Sequence, residues 1–392
     1  MLPNLKKHRA ASLVKHVLAY VIACTYIQPR NFVETARITP GGPNVNTPNS
    51  SSACKQIVAG FGLTHTPGLG DQMDRPDPAQ VDRLLAGFDV VKTEIARARP
   101  DVMIALVNDH FDMYTLNNMP AFSIALGDEH WGPTPETENW LQMKRGRIPG
   151  NSDLALDIYA TLMDEGFELH RSGSAELVHN VLIPKKYLWP DTDIPVVPIF
   201  TNCFIPPCPS FRRAYELGLA LREIIARRPE RVAVMASGGI SHWPPIVFDH
   251  DDPSDPLIER VNQFHVHGRD VWGKDPTLMM DLLEREKEMS ASGQELINIA
   301  WDKEILDQLA RGDVESLMAL RHDGIRELGG PGASEMLMWV TLAGVMNGAQ
   351  AEVVMYEPVT EFMGGVGLIS YADSIAAASA TASERFADQT NG

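Results

Sequence analysis

The amino-acid sequence predicts an α/β fold, a single large domain with a mixed, mostly buried central sheet flanked by helices. Short apolar runs alternate with amphipathic stretches, which is the pattern of strands alternating with helices. Four of these runs are almost continuously apolar, as expected of strands buried on both faces. Three of the four lead into a histidine, and ligands of open α/β sheets bind beyond the carboxyl ends of the strands. We therefore expect the active site at those ends.

Each of the four predicted strands ends in a short polar segment. The strands cover residues 57–63, 101–107, 194–200 and 231–236, and helical patterns between them cover residues 81–98 and 210–227. The histidines follow three strands, in Thr64–His65–Thr66–Pro67, Asn108–Asp109–His110 and Ser237–Gly238–Gly239–Ile240–Ser241–His242. The paired glycines predict a tight turn at which the backbone can approach a bound group.

The predicted domain covers residues 55–374, and the two ends of the chain differ from it in composition. Residues 1–54 are expected to form an N-terminal extension and linker, because a short apolar run is followed by residues rich in Pro, Gly, Asn, Ser and Thr. An export signal is the alternative for this segment, although no small-x-small cleavage site follows the run. Residues 375–392 are rich in Ala, Ser and Thr and are expected to be a flexible C-terminal tail.

Composition excludes several classes of partner. The chain has 392 residues, of which 44% are hydrophobic, and its net charge is −17. Such an acidic surface repels phosphate backbones and anionic lipids, so binding of nucleic acid or of a membrane surface is not expected. Four cysteines at irregular spacing do not fit a disulfide framework or a thiolate zinc site. We therefore expect a reduced, cytoplasmic protein.

Histidines gathered at strand ends are typical of metal or catalytic sites. Two neutral imidazoles and one carboxylate, with open positions left over, form the facial triad of non-haem Fe(II) oxygenases. The best candidate for the carboxylate is Glu335, which follows the glycine-rich turn 329–332 and begins an apolar helix. The alternative interpretation is a carboxylate that only stabilises the N-terminus of that helix.

From about residue 56 to residue 371, the chain resembles the class III extradiol ring-cleavage dioxygenases, the superfamily of the protocatechuate 4,5-dioxygenase β subunit. The markers occur in the order found in the family. The segments that contain His65 and His110 come first, and the middle histidine, His179, follows. The segment that ends in His242 comes next, and Glu335 before Met336–Leu337–Met338–Trp339 is last. Segments 207–213, 241–245 and 300–302 and the ending 356–367 are most similar to the dihydroxyphenylpropionate dioxygenase branch.

The resemblance implies roles for five residues. His65, His110 and Glu335 would bind Fe(II). His242 would be the acid–base residue beside the substrate, and His179 a second catalytic histidine. The family has Asp-His-Gly around the middle histidine, whereas this chain has Val178 and Asn180 as its neighbours. Because the aspartate would orient the imidazole and raise its pKa, its absence makes the role of His179 less well defined.

The implied reaction is the O2-dependent cleavage of a substituted, carboxylate-bearing catechol to a muconic semialdehyde-type product in aromatic catabolism. The expected partners are a small aromatic diol and O2, in a homo-oligomeric enzyme. Arg212 and Arg213 are the candidates for binding the substrate carboxylate, because a guanidinium fork matches that anion. The alternative for both is the first turn of a helix, exposed to water. Two further functions stay open, a zinc-dependent hydrolase on the same ligands and a non-catalytic metal-binding relative.

Three other histidines have less specific surroundings. His130 lies in a segment that fits an active-site loop, but the favoured interpretation is a surface loop. His265 and His267 would share one face of a strand and bind metal there. Their acidic and polar neighbours instead favour a solvated loop or the start of a helix.

Overall fold

The computed structural model describes residues 54–244 and 255–380. Ten strands lie in this part of the chain. They are β1 (Ile57–Leu63), β2 (Val102–Val107), β3 (Phe122–Ala125), β4 (Glu129–Gly132), β5 (Gly146–Pro149), β6 (His170–Ser172), β7 (Val196–Thr201), β8 (Val232–Ser237), β9 (Glu352–Val359) and β10 (Gly364–Ser370). Eight strands form one mixed sheet in the order β6-β3-β7-β2-β8-β1-β10-β9, and β4 pairs with β5 separately.

Helices connect and cover the strands. The α-helices are α1 (Gly68–Asp71), α2 (Pro78–Ala98), α3 (Glu138–Leu141), α4 (Ser152–Asp164), α5 (His179–Leu188), α6 (Phe211–Ile225), α7 (Pro256–His267), α8 (Leu278–Ala291), α9 (Ile299–Arg311), α10 (Val314–Ala319), α11 (His322–Gly329) and α12 (Met336–Val345). Short 3₁₀ turns lie at Pro135–Thr137, Gly268–Val271, Pro331–Glu335 and Thr360–Phe362.

The predicted α/β class with a mixed central sheet is confirmed. The four predicted strands are β1, β2, β7 and β8, which lie next to one another and run parallel. The outer strands add antiparallel pairs, β3 against β7 on one side and β10 against β1 on the other. Because the central strands are parallel, their carboxyl ends meet at one edge of the sheet, as the expected site requires.

Two separate cores cover the two faces of the sheet, which explains why the central strands are apolar without alternation. Within β2, Ile104 belongs to the core that includes Leu217 of α6 and Leu337 of α12. The next residue back, Met103, belongs to the opposite core with Leu84 of α2. Successive side chains of a strand point to opposite faces, so both sets must be apolar when both faces are buried.

The two predicted helices form with shifted starts, each set by a capping side chain. The Asp77 carboxylate accepts a hydrogen bond from the Ala79 N–H and α2 begins at Pro78, three residues earlier than predicted. Ser210 accepts one from the Arg213 N–H, so α6 begins at Phe211. Proline at the first helical position and a hydroxyl at the cap satisfy backbone N–H groups that lack helical partners.

The ends of the chain lie mostly outside the described residues. The predicted extension at residues 1–54 falls there except for Cys54, and the predicted tail at residues 375–392 falls there from residue 381 onward. Residues 372–380 are helical. In the described ranges no helix has the length and apolar character needed to span a bilayer.

The interpretations of two isolated histidines are wrong. His130 lies on β4 rather than in a surface loop, and it is fully buried. Its Nε2 donates to the Val196 carbonyl at 3.1 Å and its Nδ1 accepts the Ala175 N–H at 3.0 Å, so both ring nitrogens are satisfied. His265 lies in the last turn of α7, where its ring stacks on Phe111 with 4.2 Å between centroids.

Candidate active site and metal centre

Five predicted side chains meet at the carboxyl edge of the sheet. His65 follows β1, His110 follows β2 and His242 follows β8, and these three strands are neighbours. His179 begins α5, and Glu335 ends the 3₁₀ turn that leads into α12. The structure therefore brings together all five residues that the sequence analysis assigned to metal binding and proton transfer.

The Glu335 carboxylate lies at the centre of this group. Its Oε1 is 3.3 Å from His110 Nε2, and its Oε2 is 3.5 Å from His65 Nε2. Oε2 is also 3.5 Å from His242 Nε2. Burial alone would raise the pKa of Glu335, but electrostatic interaction with the His65 and His242 imidazoles and hydrogen bonds with His110 and His242 hold this pKa well below its usual value. Glu335 is therefore an anion buried among imidazoles.

The donor set fits a divalent metal ion. Two ligands held at about 2.1 Å from a metal are about 3.0 Å apart in octahedral geometry and about 3.4 Å apart in tetrahedral geometry. The separations of Glu335 from His65 and His110 lie near those values. His65, His110 and His179 also place one ring nitrogen each within 4.8 Å of the others. Both the carboxylate set and the three-histidine set are thus close enough to share an ion.

Neighbouring groups hold the possible ligands in place. Ser237, at the end of β8, lies 2.9 Å from His65 Nδ1 and leaves Nε2 facing Glu335. The Asn108 amide donates to Glu335 Oε1 at 3.0 Å, and the Gly239 N–H donates to Oε2. Such partners fix the orientation of metal-binding side chains. Burial lowers the pKa of His65 to about 3, although Glu335 opposes the shift, so this imidazole is neutral and able to bind metal.

The turn after His110 depends on its neighbour Asp109. The Asp109 carboxylate accepts hydrogen bonds from the backbone N–H groups of Met113 and Tyr114. Burial raises its pKa to about 6 against the effect of those bonds. Phe111 adopts a φ of 67°, in the left-handed region that a bulky residue rarely adopts. The carboxylate therefore organises a strained turn that fixes where His110 points.

His242 is held by its backbone surroundings. Its Nδ1 donates to the Ile240 carbonyl at 2.9 Å, so Nε2, which lies 3.5 Å from Glu335 Oε2, is the nitrogen that gains or loses a proton. A Cβ at Gly239 would lie 2.3 Å from the ring, and a Cβ at Gly332 would lie 2.2 Å from Nε2, so only glycine fits at both positions. Burial disfavours the charged ring, but the Glu335 carboxylate and the Ile240 carbonyl outweigh burial and raise the pKa of His242.

Asp302 is a site residue to which the sequence analysis gave no role. Its Oδ1 accepts the Ser241 N–H at 2.8 Å, and its Oδ2 accepts both the Ser241 and Tyr356 hydroxyls at 2.7 Å. Asp302 is fully buried, and burial raises its pKa despite these hydrogen bonds. It fixes the segment that carries His242. Residues 300–302 and 356–358 were visible in the sequence only as family markers, because their contacts span 54 and 61 residues.

His179 lies beside the possible ligands, with its ring centroid 4.2 Å from that of His110 and 5.2 Å from that of Trp140. Its Nδ1 is buried with no hydrogen-bond partner within the described structure. Burial, reinforced by His110 and His65, holds its pKa well below the usual value. The neighbouring Asn180 donates to the Asn108 carbonyl instead of assisting the imidazole. Burial and the neighbouring histidines thus leave His179 neutral.

A cavity of about 120 Å³ opens above these residues. Tryptophan, phenylalanine, leucine and methionine side chains provide most of its lining away from the histidines. Within the described ranges, no lysine or arginine lines it. Arg212 and Arg213 lie elsewhere, in the first turn of α6. The Arg213 guanidinium stacks 3.6 Å from the Phe167 ring centroid, and the Arg212 guanidinium lies 3.8 Å from Met318 Sδ. Their role in binding a substrate carboxylate stays a prediction that this placement does not support.

Several known proteins are similar to this chain. A family model described as the catalytic LigB subunit of aromatic ring-opening dioxygenase matches residues 59–369. A 2,3-dihydroxyphenylpropionate/2,3-dihydroxicinnamic acid 1,2-dioxygenase of Photorhabdus laumondii is 28% identical over 325 residues, which are 78% of this chain and 95% of the relative. A similarly named enzyme of Dechloromonas aromatica is 26% identical over 321 residues, covering 79% and 96%. A crystal structure of an uncharacterized protein from Escherichia coli K12 aligns with a TM-score of 0.44 at 14% identity, covering 80% of this chain and 99% of the other.

Proposed function

The chain belongs to the family of the catalytic LigB subunit of aromatic ring-opening dioxygenase, and from that premise we propose its substrate and its mechanism. It is a ring-cleavage dioxygenase, with an aromatic substrate and O2 as its reactants. We propose that the substrate is a substituted catechol and that cleavage next to the diol gives a muconic semialdehyde-type product. The observation that carries the proposal is the buried Glu335 carboxylate between the imidazoles of His65 and His110.

We propose that His65, His110 and Glu335 hold Fe(II). Three ligands on one side of an ion leave positions free for substrates. Bound there, Fe(II) would supply the redox chemistry that allows a spin-paired catechol to react with triplet O2. The hydrogen bonds from Asn108 and Gly239 hold both oxygens of Glu335, so these ligands are oriented before the ion binds.

We propose that His242 moves the protons. The Ile240 carbonyl holds its Nδ1–H, so Nε2 is free to take a proton from a catechol hydroxyl and to return it later as an acid. An imidazole is suited to both steps at neutral pH. His179 has no polar partner at Nδ1 and stays neutral, which supports a role in orienting the substrate more than in transferring a proton.

A second candidate, a zinc-dependent hydrolase, is favoured by the set of His65, His110 and His179. Three histidines are the ligands of some catalytic zinc sites. Their ring nitrogens lie within 4.8 Å of one another, so the set is compatible with such an ion. The two candidates differ in whether Glu335 or His179 is the third ligand.

One experiment separates the candidates. The protein is purified without metal, loaded with Fe(II) under ascorbate or with Zn(II), and tested on a panel of substituted catechols for O2 uptake and yellow product. We expect turnover with iron, none with zinc, and loss of iron binding in Glu335→Ala but not in His179→Ala. Hydrolysis with zinc and no O2 uptake would support the second candidate. Tight metal binding without turnover of any kind would support a non-catalytic relative.

We also propose that the enzyme is cytoplasmic and homo-oligomeric. Cys54, Cys203 and Cys208 are free thiols, as expected in a reducing compartment. Light scattering on the purified chain measures the number of subunits. A monomer at micromolar concentration would contradict that part of the proposal.

A further inference from the structure

One side of the cavity is an apolar wall contributed by α7, α8 and the turn between them. We use the term apolar wall for Phe264, Trp272, Met279, Leu282 and Leu283, all of which line the cavity. Phe264 and Trp272 pack with 4.7 Å between ring centroids. A surface of this kind gains free energy by covering apolar parts of a ligand, at about 25 cal/mol per Å² removed from water. The substituent on the ring is therefore expected to lie against it.

Three carboxyl groups line the cavity, those of Asp112, Glu286 and Glu335, and the histidines lie at its floor. A substrate carboxylate at the apolar wall would lose its hydration and would find no lysine or arginine among the described lining residues. The prediction of a carboxylate-bearing substrate is thus at odds with the electrostatics of the cavity.

The proposed reaction uses neither Glu286 nor Asp112, and Glu286 is the one that lies on a helix of the apolar wall. It lies on α8 beside Leu282 and Leu283, and only 5% of its surface is exposed. Burial raises its pKa to about 7, against the effects of Arg75 and Gln72. The Arg75 guanidinium itself donates to Gln72, to the Glu361 carbonyl and to Ser290 Oγ, and it does not line the cavity. A carboxyl group at the edge of an apolar surface is a hydrogen-bond acceptor that a ligand can reach.

We propose that the substrate is a catechol whose substituent is apolar along its length and ends in an uncharged hydroxyl, which donates a hydrogen bond to Glu286. The same carboxyl group disfavours a substituent that ends in a carboxylate. This proposal rests on the proposed ring-cleavage function and narrows its substrate class. The proposed substrate also differs from 2,3-dihydroxyphenylpropionate, the acid for which the similar enzymes are named. Specificity arises here from repulsion of the anion as much as from attraction of the hydroxyl.

The test uses three catechols with three-carbon substituents at the same ring position, which end in an alcohol, a methyl group or a carboxylate. The iron-loaded full chain is assayed at pH 8 by ring-fission product, together with Glu286→Gln and the control Glu284→Gln. Glu284 lies on the same helix with 65% of its side chain exposed. In the unmodified protein we expect kcat/KM to follow the order alcohol, methyl, carboxylate, with at least about tenfold between first and last, or about 1.4 kcal/mol.

Glu286→Gln should reduce the ratio of kcat/KM for the alcohol to kcat/KM for the carboxylate by about tenfold. The change should appear in KM and not in kcat, because the variant no longer places a negative charge beside the substrate carboxylate. Glu284→Gln should keep the order of the unmodified protein. A preference of the unmodified protein for the carboxylate would overturn the proposal, whether or not the variant folds. The proposal would also be overturned if Glu286→Gln left the ratio of kcat/KM between the alcohol and the carboxylate unchanged. If none of the catechols is cleaved, the ring-cleavage function fails, and affinities read by quenching of Trp140, Trp243 and Trp272, which line the cavity, still test the order.

Discussion

The strand ends beneath the cavity and the helices beside it are built from different interactions. The floor, by which we mean His65, His110, His242 and Glu335, is held by hydrogen bonds to backbone and polar side chains at fixed distances. The side chains of the apolar wall are positioned by packing on one another, while ion pairs of Arg260 with Asp275 and Asp281 join α7 to the turn and to α8. Hydrogen bonds impose direction, whereas apolar contacts impose only volume. We infer that the floor sets the reaction and the wall sets which substituent is accepted.

If that division is right, the largest effects will come from the floor. Replacing His65, His110 or Glu335 by alanine should abolish tight metal binding and turnover together, because each supplies one of only three proposed ligands. The loss of metal affinity should exceed the roughly 100-fold that follows removal of a ligand's hydrogen-bond partner. Metal content and O2 uptake are measured on the same preparations.

The matched control for these variants is His267→Ala, since His267 is an exposed histidine at the end of α7. It should bind metal and turn over normally. A Glu335→Ala protein that keeps its full metal content would show that Glu335 is not a ligand, and the three-histidine set would take its place.

Within the floor, His242 should separate metal binding from chemistry. His242→Ala should keep Fe(II) and bind catechol but lose about 10²- to 10⁴-fold in kcat, the usual contribution of a general acid or base. A residue that acts as base and then as acid is expected at the upper end. Iron content and single-turnover rate are measured together.

His179→Ala is the comparison for His242→Ala, and its effect should be milder because burial and the neighbouring histidines keep the pKa of His179 low and its Nδ1 has no hydrogen-bond partner in the described structure. Loss of iron in His242→Ala would make His242 a ligand. Retention of both iron and rate would refute its role in proton transfer.

The residues of the floor could be picked out from the sequence and those of the apolar wall could not, for a physical reason. His65, His110 and His242 directly follow or lie close behind buried parallel strands, so the position of each is fixed once the strand is recognised. Glu335 was found as the first acidic residue after a glycine-rich turn. The wall residues Trp272 and Leu282 belong to amphipathic segments that look like any other surface helix.

Long-range contacts set the second limit on prediction. Asp302 reaches Ser241 and Tyr356 through hydrogen bonds that join three separate segments, and no local pattern encodes them. The same limit explains the errors at His130 and His265, whose burial depends on distant partners. The guanidinium groups of Arg212 and Arg213 are suited to binding a carboxylate. At the capped start of α6, however, Arg213 contacts Phe167 and Arg212 contacts Met318.

Asp302 tests whether the floor needs its hydrogen bonds and not only its ligands. Asp302→Asn keeps the shape but offers one acceptor oxygen to three donors, the Ser241 N–H and the Ser241 and Tyr356 hydroxyls. We expect kcat to fall by about 10- to 100-fold with metal content unchanged. Tyr356→Phe removes one of the three donors and should cost less. Equal losses of kcat and of iron in Asp302→Asn would indicate general unfolding of the site, which near-UV circular dichroism would detect.

The smallest effect should come from the wall, where Trp272→Phe changes volume without disturbing the strand ends. Trp272 packs on Phe264, and its indole N–H is buried without a hydrogen-bond partner in the described structure. Phenylalanine keeps an aromatic ring and removes that unsatisfied donor, so the lost contact area and the removal of the unpaired N–H partly offset each other in the free energy of unfolding.

For catechols with a long substituent KM should rise by about two- to tenfold, as loss of about 0.5–1.5 kcal/mol of aromatic packing predicts. For unsubstituted catechol KM should not change, because that ring does not reach the wall, and kcat should stay the same for both. A fall in kcat on unsubstituted catechol would mean that the wall also positions the reacting ring, and the division between floor and wall would then be wrong.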